Sequence, residues 1–251
     1  MVAAATGRPP GSPASSRSTR SSRSSAKGSR SNVPARALEP AGIALVDKPA
    51  GPSSFAVVAQ IRRMTGARTG HAGTLDPFAT GLLVVLSGRA TKIAPRLVGL
   101  DKRYLTTVDL TATTTTGDPE GDVVERHDPP EELDLDAVRG VVELPVPAAS
   151  AVKIGGERAY RLHRRGVEVE MPLRRSTVYA LEVVDRDDTT VTLDLRVSSG
   201  TYVRAIAAAL GGHCRALRRT EVGPFSVEDA VAPAAFTPQC LIPETEALAA
   251  L

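Results

Sequence analysis

Tryptophan is absent from this 251-residue chain, and four Tyr and four Phe are its only other aromatic residues. With so few rings available to a core, an aromatic beside charged residues stands out as a stacking surface. Cysteine is almost as scarce. Cys214 and Cys240 form no CxxC pair, and His71, His127, His163 and His213 stand at no metal-ligand spacing with them. The adjacent His213 and Cys214 read as a chance neighbourhood. The pattern predicts a reduced, intracellular, metal-free protein. Long hydrophobic runs are also missing. The longest, Leu82 to Leu86, falls far short of the roughly 20 apolar residues a membrane span requires.

One sign of charge is missing from the start of the chain. Residues 1–36 hold Arg8, Arg17, Arg20, Arg23, Lys27, Arg30 and Arg36 and no acid, so the overall net charge of +3 leaves about −4 on the rest. This Ser-, Arg-, Gly- and Pro-rich segment lacks the apolar side chains that would offset the entropy of ordering, which predicts a disordered basic tail. A phosphate-tracking arm, an organellar transit peptide and lineage-specific filler all fit it. A secretory signal does not, for want of an apolar core. The cytoplasm is the expected compartment, with an organelle as the alternative if the tail is a transit peptide.

Order is expected from about Gly42. Ile43–Val46 reads as a buried strand ended by Asp47-Lys48-Pro49 and a Gly51-Pro52 turn. Ser53 or Ser54 then caps a helix carrying Phe55, Val58 and Ile61 on its apolar side, and Gly66 stops it. A glycine-rich loop over 66–76 leads into a second apolar strand, Gly81–Leu86, followed by helical residues 89–99. Tyr104, Thr106, Val108 and Leu110 alternate as in a half-buried strand. Residues 118–136 are acid-dense and read as a solvated loop, with a short strand at Val123-Val124. Val178–Val184 and Val191–Val197 form a hairpin across Asp185–Asp188, and Thr201 caps a helix bearing Tyr202, Val203, Ile206 and Leu210. Strands and helices mix without strict alternation, so the fold class expected is α+β with a mixed, largely antiparallel sheet. The domain reading is a tail at 1–36, one catalytic domain at 37–230, and a short extension at 231–251 too small for a further RNA-binding domain.

Four places are able to carry chemistry. In the loop 66–77, Gly66, Gly70 and Gly73 permit close backbone approach, and Pro77 holds Asp76 extended. Asp76 is either a functional carboxylate or the cap of a helical turn. The loop does not match a phosphate-binding GxGxxG or P-loop pattern. Asp101-Lys102-Arg103-Tyr104 puts cations beside a ring, which suits RNA or equally an edge strand with solvated charges. Arg204 opens an otherwise apolar helix and needs an anion, structural or catalytic. Cys214–Arg219 is basic and reads as a solvated face.

Taken together and in order, these blocks resemble the TruB family of pseudouridine synthases. The central match is His71-Ala72-Gly73-Thr74-Leu75-Asp76-Pro77-Phe78-Ala79-Thr80-Gly81. Val46–Pro49, Gly51–Ser54, Asp101–Tyr104, Ser150–Lys153 with Gly156 and Tyr160, Ser199–Arg204, Leu217–Thr220 and Gly223–Phe225 support it. The resemblance covers roughly residues 42–228 and implies the pseudouridine synthase fold. It also implies isomerisation of uridine 55 in the T-loop of tRNA, by base flipping and by cleavage and re-formation of the glycosidic bond. Asp76 is implied as the catalytic carboxylate, Arg204 as its charged partner and Tyr104 as the ring that stacks on the uracil. His71 is implied to fill the space the base vacates, and Leu217 to wall the pocket. Lys48, Lys102, Arg103 and Thr115 are assigned to substrate binding, with Lys48 and Pro49 also resembling residues that buttress the active-site strand. The T-stem and T-loop of tRNA are the expected partner of a monomeric protein, with no membrane and no metal, and the implied isomerisation needs no cofactor.

The chain departs from the family pattern at four points. Thr114-Thr115-Thr116 replaces an acid-containing segment before Asp118, and Ala149 stands where an aromatic is usual. The stretch Gly211–Arg215 is shortened, and the C-terminal RNA-binding domain of many bacterial members is not expected here. Other RNA stem-loops, and a non-catalytic RNA-binding role on the same scaffold, remain alternatives. The trio Asp76, Tyr104 and Arg204 argues against the second.

Overall fold

The split between uninterrupted and alternating apolar segments decides the architecture. The computed structural model describes residues 40–251; the Ser/Arg-rich tail read at 1–36 lies outside them. Strand β1 (Gly42–Lys48) leads to helix α1 (Ser54–Thr65), then to β2 (Thr69–His71) and β3 (Thr80–Ser87). Helix α2 (Ala94–Val98) follows a 3₁₀ segment, and β4 (Lys102–Asp109), β5 (Ala112–Thr114), β6 (Val123–Arg126) and β7 (Gly140–Pro145) come next. After them lie β8 (Lys153–Ile154), β9 (Glu157–Arg158), α3 (Ala159–Arg164), β10 (Leu173–Arg186), β11 (Thr190–Val197) and α4 (Val203–Ala209). The chain ends in β12 (His213–Val222), β13 (Phe225–Ser226) and α5 (Glu244–Ala249).

One sheet runs β1-β3-β12-β4-β11-β10-β7, with β2 beside β3 and β13 beside β12. Its pairings are antiparallel except β12 with β3, which run parallel through Arg218 and Thr80. This is the α+β, mixed and largely antiparallel arrangement expected. The continuous run Leu82–Leu86 is fully buried because β3 is covered on both faces. Leu83 and Val85 share a core cluster with Val57, Val58 and Ile61 of α1, while Leu82, Val84 and Leu86 share another with Ile93, Leu97 and Phe225. Strand β4 alternates because one face only is covered: Tyr104, Thr106 and Val108 point inward, and Arg103 and Leu105 to solvent.

Local signals account for α1. Ser53 accepts from the Ala56 amide at 3.2 Å, and Gly66 closes the helix at φ +65°. Phe55 is the exception: it is 71 % exposed, because the buried stripe runs through Ser54, Val57, Val58 and Ile61.

Several expectations change. The glycine loop contains β2, paired with β3 from Thr69 to His71. Thr201 does not cap α4. Its hydroxyl donates to the Ser198 carbonyl at 2.9 Å inside a turn built on Gly200 at φ +79°, and Tyr202 takes the cap position without a side-chain bond. The acid-dense stretch is not wholly solvated, since Asp118 is buried and β6 pairs with β5. Strand β10 continues through Arg186, so the hairpin turns at Asp187, whose carboxylate accepts from the Thr189 and Thr190 amides. The basic stretch Cys214–Arg219 lies on a central strand and is only partly a surface face: Arg215 is exposed, whereas Arg219 is 1 % exposed. The last residues pack as well: Val231 bonds to β1, Ile242 bridges to Ile43, and Phe236 is fully buried in the main core.

Candidate active site

Asp76 leaves β2 on the glycine loop and returns the chain to β3. No helix follows it, which removes the helix-cap alternative. Its Oδ2 lies 3.0 Å from Arg204 Nε, with side-chain exposures of 34 % for the carboxylate and 4 % for the guanidinium. The acid thus faces an opening while its partner is walled in. Arg204 has further anchors, since its Nη1 donates to the Thr116 carbonyl and to Asp118 Oδ2 at 3.0 Å. Nη2 donates to the Ala149 carbonyl at 3.0 Å. The anion Arg204 requires is therefore a pair of carboxylates, the partly open Asp76 and the buried Asp118.

Burial raises the Asp76 carboxyl above the ordinary carboxylate value; Arg204 and Lys48 pull it back, and Asp118 pushes it further up. Arg204 therefore offsets the desolvation of Asp76 only in part. Asp118 was not singled out from sequence. Its signal was the Asp-x-x-Gly turn over 118–121, in which its Oδ1 accepts from Thr116 Oγ1 and from the Glu120 amide. The departure at Thr114-Thr115-Thr116 thus leaves an acid in contact with Arg204.

The loop is held from below. Lys48 is fully buried, and its ammonium donates to the carbonyls of Pro49, Pro77 and Ala79 at 2.9, 3.0 and 2.7 Å. All three N–H donors are occupied, so Lys48 shapes the Asp76 turn and is not a substrate contact. Ser54 Oγ both donates to the Leu75 carbonyl and accepts the Leu75 amide, each at 2.8 Å. Arg219 ties Leu82 to the loop, with Nε to the Leu82 carbonyl at 2.8 Å and Nη2 to Gly73 at 3.1 Å. Sequence reasoning missed this role, because nothing local distinguishes Arg219 from its exposed neighbours.

Tyr104 is 8 % exposed on the inner face of β4, and Leu217 is equally buried on β12 beside it. His71 ends β2 half-buried, its ring 5.3 Å from that of Phe55 and nearly perpendicular at 78°. Burial, then the nearby Arg219, lowers the imidazole pKa, which favours a neutral ring. Its Nδ1 is enclosed without a partner. Three residues assigned to substrate binding stand apart from this cluster. Lys102 is buried and donates to the Val98 and Leu100 carbonyls; burial, with help from Arg219, lowers its pKa to about 8. Arg103 lies on the solvent face, chelated by Asp194 at 2.8 and 2.9 Å and by Glu221 at 3.1 Å. Thr115 is exposed and spends its hydroxyl on the Asp122 amide at 3.1 Å.

The description "TruB family pseudouridylate synthase (N terminal domain)" belongs to a family model that matches residues 62–203. The chain belongs to this family. A relative named tRNA pseudouridine synthase B, from Thermobifida fusca (strain YX), is 45 % identical over 235 residues, covering 83 % of this chain and 79 % of the relative. A second of that name, from Mycobacterium sp. (strain KMS), is 47 % identical over 206 residues, covering 75 % and 69 %. Among solved structures, a chain of a Cbf5-Nop10-Gar1 complex matches at a TM-score of 0.62 and 26 % identity. That match covers 84 % of this chain, which spans 62 % of the other. The family's chemistry is the isomerisation of uridine to pseudouridine. No helix among the described residues is long and apolar enough to cross a membrane.

Proposed function

We propose that the protein converts uridine to pseudouridine in tRNA, at position 55 of the T-loop, with Asp76 as its catalytic carboxylate. The observation that carries this reading is the 3.0 Å pair between a half-open Asp76 and a buried Arg204. A carboxylate so placed is oriented by its partner yet reachable from solvent. Asp76 acts at the sugar, as nucleophile at C1′ or as base at C2′. The N1–C1′ bond breaks, the uracil turns, and C5 bonds to C1′; the proton leaves C5 and N1 ends protonated. Nothing is oxidised, reduced or hydrolysed.

A uridine inside a folded loop must first swing out, at a cost of a few kcal/mol. Tyr104 and Leu217 supply a ring and an apolar wall for the extruded base, and the neutral His71 a ring to stack in the space it leaves. The segment after Ala149, whose carbonyl binds Arg204, carries Lys153, Arg158, Arg161 and Arg164, the last two over the Tyr160 ring. Cations beside a ring next to the site suit RNA phosphates and bases. The compartment proposed is the bacterial cytoplasm, in keeping with the sources of the relatives.

Incubating the protein with unmodified tRNA and mapping pseudouridine at nucleotide resolution tests this. Product at position 55, lost in Asp76→Asn while tRNA binding persists, is expected. Wild-type protein that binds tRNA yet forms no pseudouridine would overturn it.

A further inference from the structure

Phe55 is the most exposed large apolar side chain among the described residues, at 71 %, in a chain with only eight Tyr and Phe. Phe225 and Phe236 are buried, as a core requires of such scarce rings. Nor is Phe55 on a loose segment. It occupies the first turn of α1, directly after the Ser53 cap and after Ser54, whose hydroxyl clasps both backbone groups of Leu75. Leu75 directly precedes Asp76, and Gly51, just upstream, donates to the Pro77 carbonyl at 2.9 Å. The ring is thereby stapled to the rim of the catalytic loop. There it meets His71 edge to face, with centroids 5.3 Å apart.

We propose that Phe55 is a further substrate-contacting residue, whose ring joins His71 in an aromatic surface on which a nucleobase beside the reacting uridine stacks. The perpendicular arrangement keeps the two rings from covering each other, so the pair presents apolar surface in two directions. A phenyl ring has only two side-chain torsions to freeze, and every base offers a π face to it, so the contact is tolerant of base identity. The His71 imidazole, held neutral by its burial, keeps the surface free of charge at pH 7. This rests on the reading that a tRNA loop is the substrate.

The test compares wild type, Phe55→Ala and Phe55→Tyr on an unmodified tRNA transcript. It measures kcat, KM, the equilibrium Kd for tRNA, and the unfolding temperature. Phe55→Ala is expected to raise KM and Kd about tenfold, from the loss of one base–aromatic stack. Its kcat should stay within about twofold and its unfolding temperature should not change, because the ring is exposed. Phe55→Tyr, which keeps the ring, is expected to restore both constants. In a His71→Ala background the Phe55→Ala effect should shrink, as for two residues that act as a unit. An unchanged Kd in Phe55→Ala overturns the proposal, as does a fall in kcat or in unfolding temperature without a rise in Kd. Wild-type protein that binds tRNA but forms no pseudouridine sinks the isomerisation reading instead, and the Kd ratio still judges Phe55.

Discussion

Asp118 and Arg204 face each other at 3.0 Å with both side chains 4 % exposed, and the same guanidinium reaches Asp76 on its open side. One cation thus bridges a buried and a partly exposed carboxylate. The two acids repel, and Asp118 is among the influences that raise the Asp76 pKa. If Asp76 works ionised, activity falls as pH drops through that raised pKa, so the acid limb of kcat/KM should lie above the ordinary 3.8.

Replacing Asp118 by Asn then has a sign. It removes a charge that raises the Asp76 pKa and leaves Arg204 to Asp76 alone, so the acid limb should move to lower pH. The variant also loses a buried charged hydrogen bond, at a cost of about 2 kcal/mol. Comparing the pH profile of kcat/KM with urea unfolding separates the two effects. A limb that stays in place or moves up contradicts the coupling.

Lys48 makes a second expectation concrete. Its ammonium satisfies three carbonyls from two separate stretches of chain, and no water-facing route replaces it because the residue is fully buried. Lys48→Met fills similar volume but removes the ammonium from the Pro49, Pro77 and Ala79 carbonyls, and of these Pro77 keeps the Gly51 amide. Destabilisation of about 3 kcal/mol is expected, with a fall in kcat as the Asp76 turn loosens. Urea titration and single-turnover rates would show both; full kcat in a destabilised variant would mean that the turn holds its shape without the lysine.

What was legible in the chain was whatever has a short-range cause. The Ser53 cap, the Gly66 stop and the two-sided burial of Leu82–Leu86 follow from neighbours within a few positions. Arg204 was legible because one charge on an apolar helix demands an anion wherever it comes from. Asp118 and Arg219 were not. Their partners lie 86 and 146 residues away in sequence, and only the sheet order brings β12 beside β3 and the 116–118 turn against α4. Lys102 and Arg103 misled for a related reason. Cations beside Tyr104 suggested RNA, but strand alternation turns Arg103 to the opposite face, and Lys102 folds back onto the carbonyls of Val98 and Leu100.

The two thiols should differ sharply in reactivity. Cys214 is completely buried against Thr106, and desolvation pushes its pKa to about 12, whereas Cys240 is partly exposed. At pH 8 the Cys214 thiolate fraction is on the order of one in ten thousand. A disulfide reagent is expected to titrate one thiol in the native protein and two after denaturation. Modification of Cys214 before unfolding would show that the core between β4 and β12 opens locally.

Gly81 carries the sharpest steric expectation. It sits at φ +99° where β3 and β12 begin to run parallel, and a Cβ there would overlap the backbone carbonyl of Arg219. Neither strand can yield without breaking the junction that carries Arg219 to Leu82 and Gly73. Gly81→Ala is therefore expected to cost about 4 kcal/mol, from backbone strain and overpacking together. Gly73 is the control. It has a similar φ of +102°, but a Cβ would meet only the Arg219 side chain at 3.5 Å, an ordinary contact. Gly73→Ala should then cost only the strain, about 1–2 kcal/mol. Equal losses in urea unfolding would show that φ alone governs both positions. A much larger loss at Gly81 would place the constraint in the close approach of β12 to the strand that follows Asp76.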